Sequence, residues 1–98
     1  MKYRRFIMTL AVNGIRFHEV WIDPHYEERH SESINDQLVL KLVKLLDGTD
    51  HDAGVIGSNE YSFFATDMEF EGNPYRLIWV IPPDHSFLGV RNAFRRSK

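Results

Sequence analysis

Cysteine is absent from this sequence, and glycine is scarce, with six residues among 98. The lack of cysteine excludes disulfide bonds, thiol catalysis and thiolate metal sites, and it is expected of a cytoplasmic protein. The glycines form no phosphate-binding loop or dinucleotide fingerprint, and no Ser-His-Asp pattern is present. The sequence therefore predicts no small-molecule cofactor.

Long hydrophobic stretches are also missing. The apolar runs are short, for example Leu-Val-Leu at residues 38–40, so no segment is predicted to span a membrane. The segment MKYRRFIMTLAV begins with basic residues and continues with apolar ones. It has neither a long enough apolar region nor a small-residue cleavage site, so we do not predict a signal peptide.

Five histidines are present, and none has a spacing typical of a metal site. His25 and His30 are five residues apart, whereas two ligands on one helical face are usually four apart. We therefore predict no metal site. His85 follows a Pro-Pro-Asp turn beside a basic strand, which makes it the candidate general acid or base. The alternative is that His85 is a solvated turn residue.

The charges are strongly segregated along a chain of single-domain length. Residues 1–18 carry a net charge of +4 and residues 85–98 also carry +4, whereas residues 19–84 carry −10. If the two ends meet in space, they form a basic face that attracts an anionic partner. The alternative is that the charges only solubilise the two ends.

The first half of the chain predicts a β-hairpin followed by helices. Residues 5–12 and 15–22 flank Asn13-Gly14, a pair typical of a tight hairpin turn. Asp23-Pro24 predicts the start of a short helix through residues 25–30. Ser33 and Asp36 resemble a capping box before the main helix. The apolar face of that helix is wide, and Gly48 is its predicted end. Its members are Ile34, Leu38, Val39, Leu42, Val43, Leu45 and Leu46.

The second half predicts a loop and three strands. Residues 47–59 have loop composition, and residues 61–66, 75–81 and 87–94 are predicted strands separated by proline-containing turns. The element order is β-β-α(α)-β-β-β. We therefore expect an α+β fold, with one main helix packed on one face of an antiparallel sheet of four to five strands.

The last two predicted strands carry a cluster of cations. Arg76 lies on the first of them, and Arg91, Arg95, Arg96 and Lys98 lie on or after the second. Arg91 and Arg95 are four residues apart, which places them on one face of a regular strand. Together with Arg76 they would form a clamp for a phosphate group. The alternative is that Arg76 pairs with Glu69 or Glu71 across the turn.

This C-terminal segment, Tyr75-Arg76-Leu77-Ile78-Trp79 followed by a turn, an apolar strand and Arg95-Arg96, resembles the last strands of RelE/ParE-like toxins. The resemblance implies a sheet packed against helices, binding to RNA or the ribosome, and an antitoxin protein as partner. Metal-independent endoribonuclease activity is the chemistry of some members. The implied catalytic residues are Arg76, Arg95 and His85, with Arg91, Arg96 and Lys98 as further phosphate-binding residues.

The chain departs from that family pattern in three respects. It begins with a hairpin, its segment after the helix is the acidic Asp-Gly-Thr-Asp-His-Asp, and it ends directly after the basic cluster. Two functions therefore stay open. The first is an RNA- or ribosome-binding protein of the toxin type, with endoribonuclease activity undecided. The second is a non-catalytic protein-interaction module on the same fold, with Leu40 and a sheet edge as its contact region.

Overall fold

The computed structural model describes residues 3–56 and 60–97 and has an α+β fold. A short 3₁₀ turn (Pro24–Tyr26) precedes the helices α1 (Glu27–His30) and α2 (Asp36–Lys44). The strands are β1 (Arg4–Val12), β2 (Ile15–Ile22), β3 (Val55–Ile56), β4 (Ser62–Phe70), β5 (Asn73–Ile81) and β6 (Leu88–Arg95). Five of these strands are long, and β3 has only two residues.

The strands form one mixed sheet in the order β1-β2-β6-β5-β4-β3. All neighbouring pairs are antiparallel except β2 and β6, which run parallel, with Val20 beside Leu88 and Ile22 beside Val90. The prediction of an antiparallel sheet is therefore wrong at this pair. Parallel strands need a long connection between them. Here the connection from β2 to β6 contains the helices and strands β3, β4 and β5.

The hydrophobic core lies between α2 and one face of the sheet. Its helical side is formed by Val39, Leu42 and Val43, all fully buried. The sheet side includes Leu77, Trp79, Leu88, Val90 and Ala93, which are also fully buried. The predicted apolar face of the helix is confirmed except at Leu45, which is exposed, and at Leu38, which is partly buried.

The tight turns follow local sequence rules. Asn13 and Gly14 both have positive φ angles, 54° and 74°, as the predicted hairpin turn requires. The turn between β4 and β5 uses Glu71 and Gly72 instead of the predicted residues 72–74, again with two positive φ angles. As a result, β4 extends to Phe70 and β5 begins at Asn73, so both strands are longer than predicted.

The helical region differs from the prediction in its boundaries. The first helix is divided into the 3₁₀ turn and the four-residue α1, with Asp23 capping the turn as predicted. Helix α2 has only nine residues, so the expectation of one main helix is not confirmed. It is capped by Asn35, whose Oδ1 accepts a hydrogen bond from the Leu38 amide at 2.8 Å. The predicted Ser33 capping box is therefore wrong, because Asn35 lies closer to the first helical residue.

A polar network joins the beginning of β1 to the beginning of α2. The Arg4 guanidinium donates to both carboxylate oxygens of Asp36, at 2.5 and 2.9 Å. The hydroxyl of Tyr26 donates to Asp36 at 2.5 Å. Burial acts to raise the pKa of Asp36, but the bonds from Arg4 and Tyr26 outweigh it and lower that pKa below its usual 3.8. Burial and the neighbouring Asp36 raise the pKa of Tyr26 to about 12.

We expect the Asp36→Asn substitution to lower the free energy of unfolding by about 1–3 kcal/mol at about pH 7, because hydrogen bonds to a charged group are lost. The folded-state pKa of Asp36 is lowered, so its stabilisation is full above the unfolded value of 3.8 and is lost as pH falls through the lower folded-state pKa. Urea unfolding should therefore show a smaller difference between variant and wild type at about pH 3 than at about pH 7. Glu27→Gln is the control, since Glu27 is an exposed partner of Arg4. An equal loss at both pH values would contradict this account.

No helix in the described ranges is long and apolar enough to cross a membrane.

Candidate nucleic-acid interface

The face of the sheet opposite α2 carries a continuous set of aromatic, apolar and cationic side chains, and we call it the open face. Cross-strand pairing defines it, because paired residues project to the same side. One row joins Trp21, Gly89, Val80 and Phe63 on β2, β6, β5 and β4. A second row joins Asn92, Ile78 and Ala65, and a third joins Phe94, Arg76 and Asp67.

Two arginines meet at one carboxylate on this face. The Arg76 guanidinium donates to Asp67 through Nε and Nη2, at 2.7 and 3.1 Å. Arg96 donates to the same carboxylate through Nη1 at 2.5 Å. The hydrogen bond from Arg76 lowers the pKa of Asp67, and the same bond raises the pKa of Arg76. The prediction that Arg76 pairs with Glu69 or Glu71 is wrong, because Asp67 is its direct cross-strand neighbour.

The arginine pair keeps most of its hydrogen-bonding capacity. Each guanidinium has five N–H donors in a planar fork, and the contacts with Asp67 use three of them in total. Two positive charges against one negative charge leave the cluster cationic. All three side chains are between 36% and 49% exposed, so a ligand in solvent can reach them. This arrangement suits bidentate binding of phosphate oxygens.

Aromatic rings flank the cluster on the same face. Phe94, the cross-strand neighbour of Arg76, stacks against the imidazole of His30 with ring centroids 5.4 Å apart. Farther along the sheet, Trp21 stacks on Phe87 with centroids 3.9 Å apart and planes within 1°. The Arg5 guanidinium lies 4.2 Å from the Trp21 ring centroid. Planar rings and guanidinium groups of this kind provide stacking surfaces for nucleobases.

Gly89 makes room for the Phe87 ring on the open face. A Cβ atom at position 89 would lie 2.8 Å from Cγ2 of Val80 and 3.2 Å from the Phe87 ring. Real Cβ atoms do not approach so closely, so a side chain at this position would displace Phe87 or Val80. The absence of a side chain at Gly89 thus allows Phe87 to lie across the sheet and against Trp21.

The predicted phosphate clamp of Arg76, Arg91 and Arg95 does not form. Ile78 pairs with Asn92 and Trp79 pairs with Val90, so Arg91 is an extra, bulged residue. Because of this bulge, the residues of β6 before and after Arg91 do not follow one continuous alternation between the two faces of the sheet. Arg91 therefore lies beside Ile78 and Asn92 on the open face, whereas Arg95 is the cross-strand neighbour of Tyr75, on the α2 side. The Arg95 guanidinium donates to Asn73 Oδ1 at 2.6 Å.

The other predicted site residues are also separated from the cluster. His85 is exposed in the turn between β5 and β6, with a φ of 58°. Arg76 is five residues from the end of β5, and at about 3.4 Å per residue this places His85 roughly 17 Å or more away. Arg76, Arg95 and His85 therefore cannot contact one phosphate together. Lys98 lies outside the described residues.

A histidine that the sequence analysis assigned no role lies beside Arg91. His25, in the 3₁₀ turn, lines a cleft on the open face together with Arg91 and Asn92. The spacing of His25 and His30 concerns metal binding alone. Asp23-Pro24 is the sequence signal for the position of His25, because it predicts a capped turn directly after β2. Within the described ranges, no group of three or more His, Asp or Glu residues has a metal-binding arrangement.

Comparisons with protein-family models, with curated proteins and with solved structures find no match to this chain.

Proposed function

We propose that this protein binds single-stranded RNA, free or within the ribosome, across the open face. The observation that carries the proposal is the convergence of Arg76 and Arg96 on Asp67, next to the partly buried ring of Phe94. Arginine forks match phosphate oxygens, and aromatic rings stack on unpaired bases. A sheet face that offers both side by side suits a flexible single strand better than a duplex.

The charge distribution supports this proposal even though the chain has a formal net charge of −2. Arg5, Arg76, Arg91 and Arg96 lie on or beside the open face. Acidic side chains share this face, with Glu19 opposite Ile7 and Glu69 opposite Pro74, so the excess of positive charge is confined to the arginine pair at Asp67. Such a local excess attracts an anionic strand regardless of total charge. We also propose that the chain is related to RelE/ParE-like toxins, and that the proposed RNA-binding face is inherited from them.

The first experiment is binding of a fluorescent single-stranded RNA to the wild-type protein, measured by anisotropy at increasing salt. We expect log Kd to rise linearly with log salt concentration, with a slope of about 2–3 if three or four phosphates are contacted. A duplex of the same sequence should bind more weakly, because its bases are not available for stacking. Absence of salt-dependent RNA binding would refute the proposal.

A second candidate function is docking of a protein on the β1 end of the same face. The observation that favours it is Ile7, which is 86% exposed on β1, two residues from Arg5, the cross-strand neighbour of Trp21. Such an apolar patch is typical of a protein contact. A partner of the antitoxin type would cover this end and compete with RNA. Binding that is insensitive to salt and abolished by Ile7→Glu would support this candidate.

A further inference from the structure

A cleft on the open face lies between the 3₁₀ turn and the sheet. Its volume is about 390 Å³, within the usual range for clefts that hold small ligands. Phe63 and Ile78 form its apolar side, and its polar side chains are Asp23, His25, Arg91 and Asn92. Ile78 is two residues from Arg76 on β5, so the cleft lies about 7 Å from the arginine pair at Asp67 along the strand.

Arg91 and Asn92 supply this cleft with hydrogen-bond donors. The Arg91 side chain is 41% exposed, and its Nε lies 3.6 Å from Oδ2 of Asp23, an ion pair that is longer than a hydrogen bond. Its fork of N–H groups therefore stays available to a ligand. The Asn92 Oδ1 accepts a hydrogen bond from the Ala93 amide at 2.9 Å. That bond engages the amide oxygen and leaves the two N–H donors of Nδ2 for a ligand.

The carboxylate of Asp23 does not offer the cleft an acceptor. The side chain of Asp23 is only 3% exposed. Its Oδ1 accepts a hydrogen bond from the His25 amide at 2.9 Å, and its Oδ2 faces Arg91. A buried charge requires such partners, so Asp23 holds the Arg91 guanidinium at the cleft. The His25 ring is engaged at the rim, because its Nδ1 lies 2.5 Å from Oε2 of Glu28 in a neighbouring pocket.

A ligand that fits this cleft needs an apolar planar face and an edge that carries acceptors. Nucleobases have such faces, and Phe63 and Ile78 provide the surface against which one would lie. On the Hoogsteen edge, guanine presents two adjacent acceptors, O6 and N7. Adenine places an amino donor beside N7, cytosine presents an amino donor, and uracil presents a single acceptor. The donors of the cleft therefore match guanine best.

We propose that this cleft is a guanine-selective subsite of the open face, an inference that rests on the proposed function. The guanine base lies against Phe63 and Ile78, and its O6 and N7 accept hydrogen bonds from the Arg91 fork. Asn92 Nδ2 donates to O6 as well. A phosphate of the same strand reaches Arg76 and its partner Arg96, about 7 Å from the cleft along β5. Asp23 is a positioning residue, because it holds Arg91 and does not contact the base.

The test compares fluorescent single-stranded RNAs that differ at one central position in an oligouridine. Anisotropy at one salt concentration should show guanine binding about ten-fold more tightly than adenine or cytosine, as a bidentate base contact provides. Two analogues of guanine locate the contact. 7-Deazaguanine lacks the N7 acceptor and should lose the preference, whereas hypoxanthine keeps O6 and N7 without the 2-amino group and should bind like guanine.

Two variants assign the preference to the cleft. Arg91→Lys keeps the charge beside Asp23 but removes the planar fork, so the ratio of guanine to adenine affinity should fall to about one while the salt dependence is unchanged. Asn92→Asp replaces a donor with an acceptor of the same size, and it should also lower this ratio. Arg5→Lys is the matched control, since Arg5 lies over Trp21 outside the cleft. Its ratio should equal that of wild type.

The outcomes separate this inference from the proposed function. Equal affinity for all four bases, full affinity for 7-deazaguanine, or a guanine preference that survives Arg91→Lys would make the guanine subsite wrong and leave the binding proposal standing. Guanosine 5′-monophosphate that competes at the same concentration as the RNA would show that the cleft takes a free nucleotide, which would also overturn the inference. If no RNA binds in a salt-dependent way, both proposals are wrong.

Discussion

Replacing both Arg76 and Arg96 with alanine should weaken the binding of single-stranded RNA by about ten-fold or more at low salt. The two guanidinium groups form one cationic cluster around Asp67, so removing one alone leaves the other to contact phosphate. If each arginine contacts one phosphate, the slope of log Kd against log salt should fall by about 1.4 in the double variant. Anisotropy titrations at several salt concentrations measure both quantities.

The control for this experiment is a double variant with the same change in net charge on the opposite side of the sheet. Arg95 is the cross-strand neighbour of Tyr75 on the α2 side, and Lys41 of α2 lies 6.0 Å from the Phe70 ring. Arg95→Ala with Lys41→Ala should leave RNA affinity within about two-fold of wild type, because charges across the sheet contribute only screened, long-range attraction. Equal losses in the two double variants would mean that RNA binding depends on total charge and not on the open face.

Replacing Trp79 with alanine should lower the free energy of unfolding by about 3–5 kcal/mol, the range for removing a large aromatic side chain from a core. Trp79 is fully buried and stacks on Phe64 with centroids 4.0 Å apart. Its Nε1 donates to Thr66 Oγ1 at 2.9 Å. The substitution therefore leaves both a cavity and a hydroxyl without its donor. Urea unfolding followed by far-ultraviolet circular dichroism measures the loss.

Trp21→Ala provides the comparison for Trp79. Trp21 is a residue of the same type on the open face, half-buried between Arg5 and Phe87. We expect its removal to cost about 1 kcal/mol, because solvent can fill the space that it leaves. It should also weaken RNA binding if its ring takes part in stacking. A loss of stability as large as that of Trp79→Ala would show that the open face is part of the core.

Local features of the fold could be predicted because a few adjacent residues determine them. Asn13-Gly14 gave the hairpin turn and Asp23-Pro24 gave the capped 3₁₀ turn. The parallel pairing of β2 with β6 could not be predicted, since it depends on contacts between distant segments. The start of α2 was misplaced because Ser33 and Asn35 are both good capping residues, and Asn35 is the one that accepts the hydrogen bond from the Leu38 amide.

The sequence indicated which kind of residue forms the candidate site, but it did not indicate how these residues are arranged on the sheet. The sequence indicated that arginines on the last strands bind phosphate, and the structure places Arg76, Arg91 and Arg96 on one face. It places Arg95 on the other face because a single bulged residue shifts the alternation of β6. A bulge of this kind leaves no clear trace in the sequence. The carboxylate neighbours of His25 are local in sequence, Asp23 two residues before it and Glu28 three residues after it. His25 was missed because its position beside Arg91 depends on how the 3₁₀ turn packs against β6.

The central position of β6 has a consequence for how the chain folds. β6 pairs with β2 on one side and with β5 on the other, yet it is synthesised after every other strand. Until it is complete, the β1–β2 hairpin and the β4–β5 hairpin have no strand to join them, and both keep unpaired edges that are prone to aggregation. Closing the sheet brings together segments from opposite halves of the chain, a high-contact-order step that is intrinsically slow. Arg91 of β6 and Arg96, which follows it, therefore reach the open face only when folding is finished.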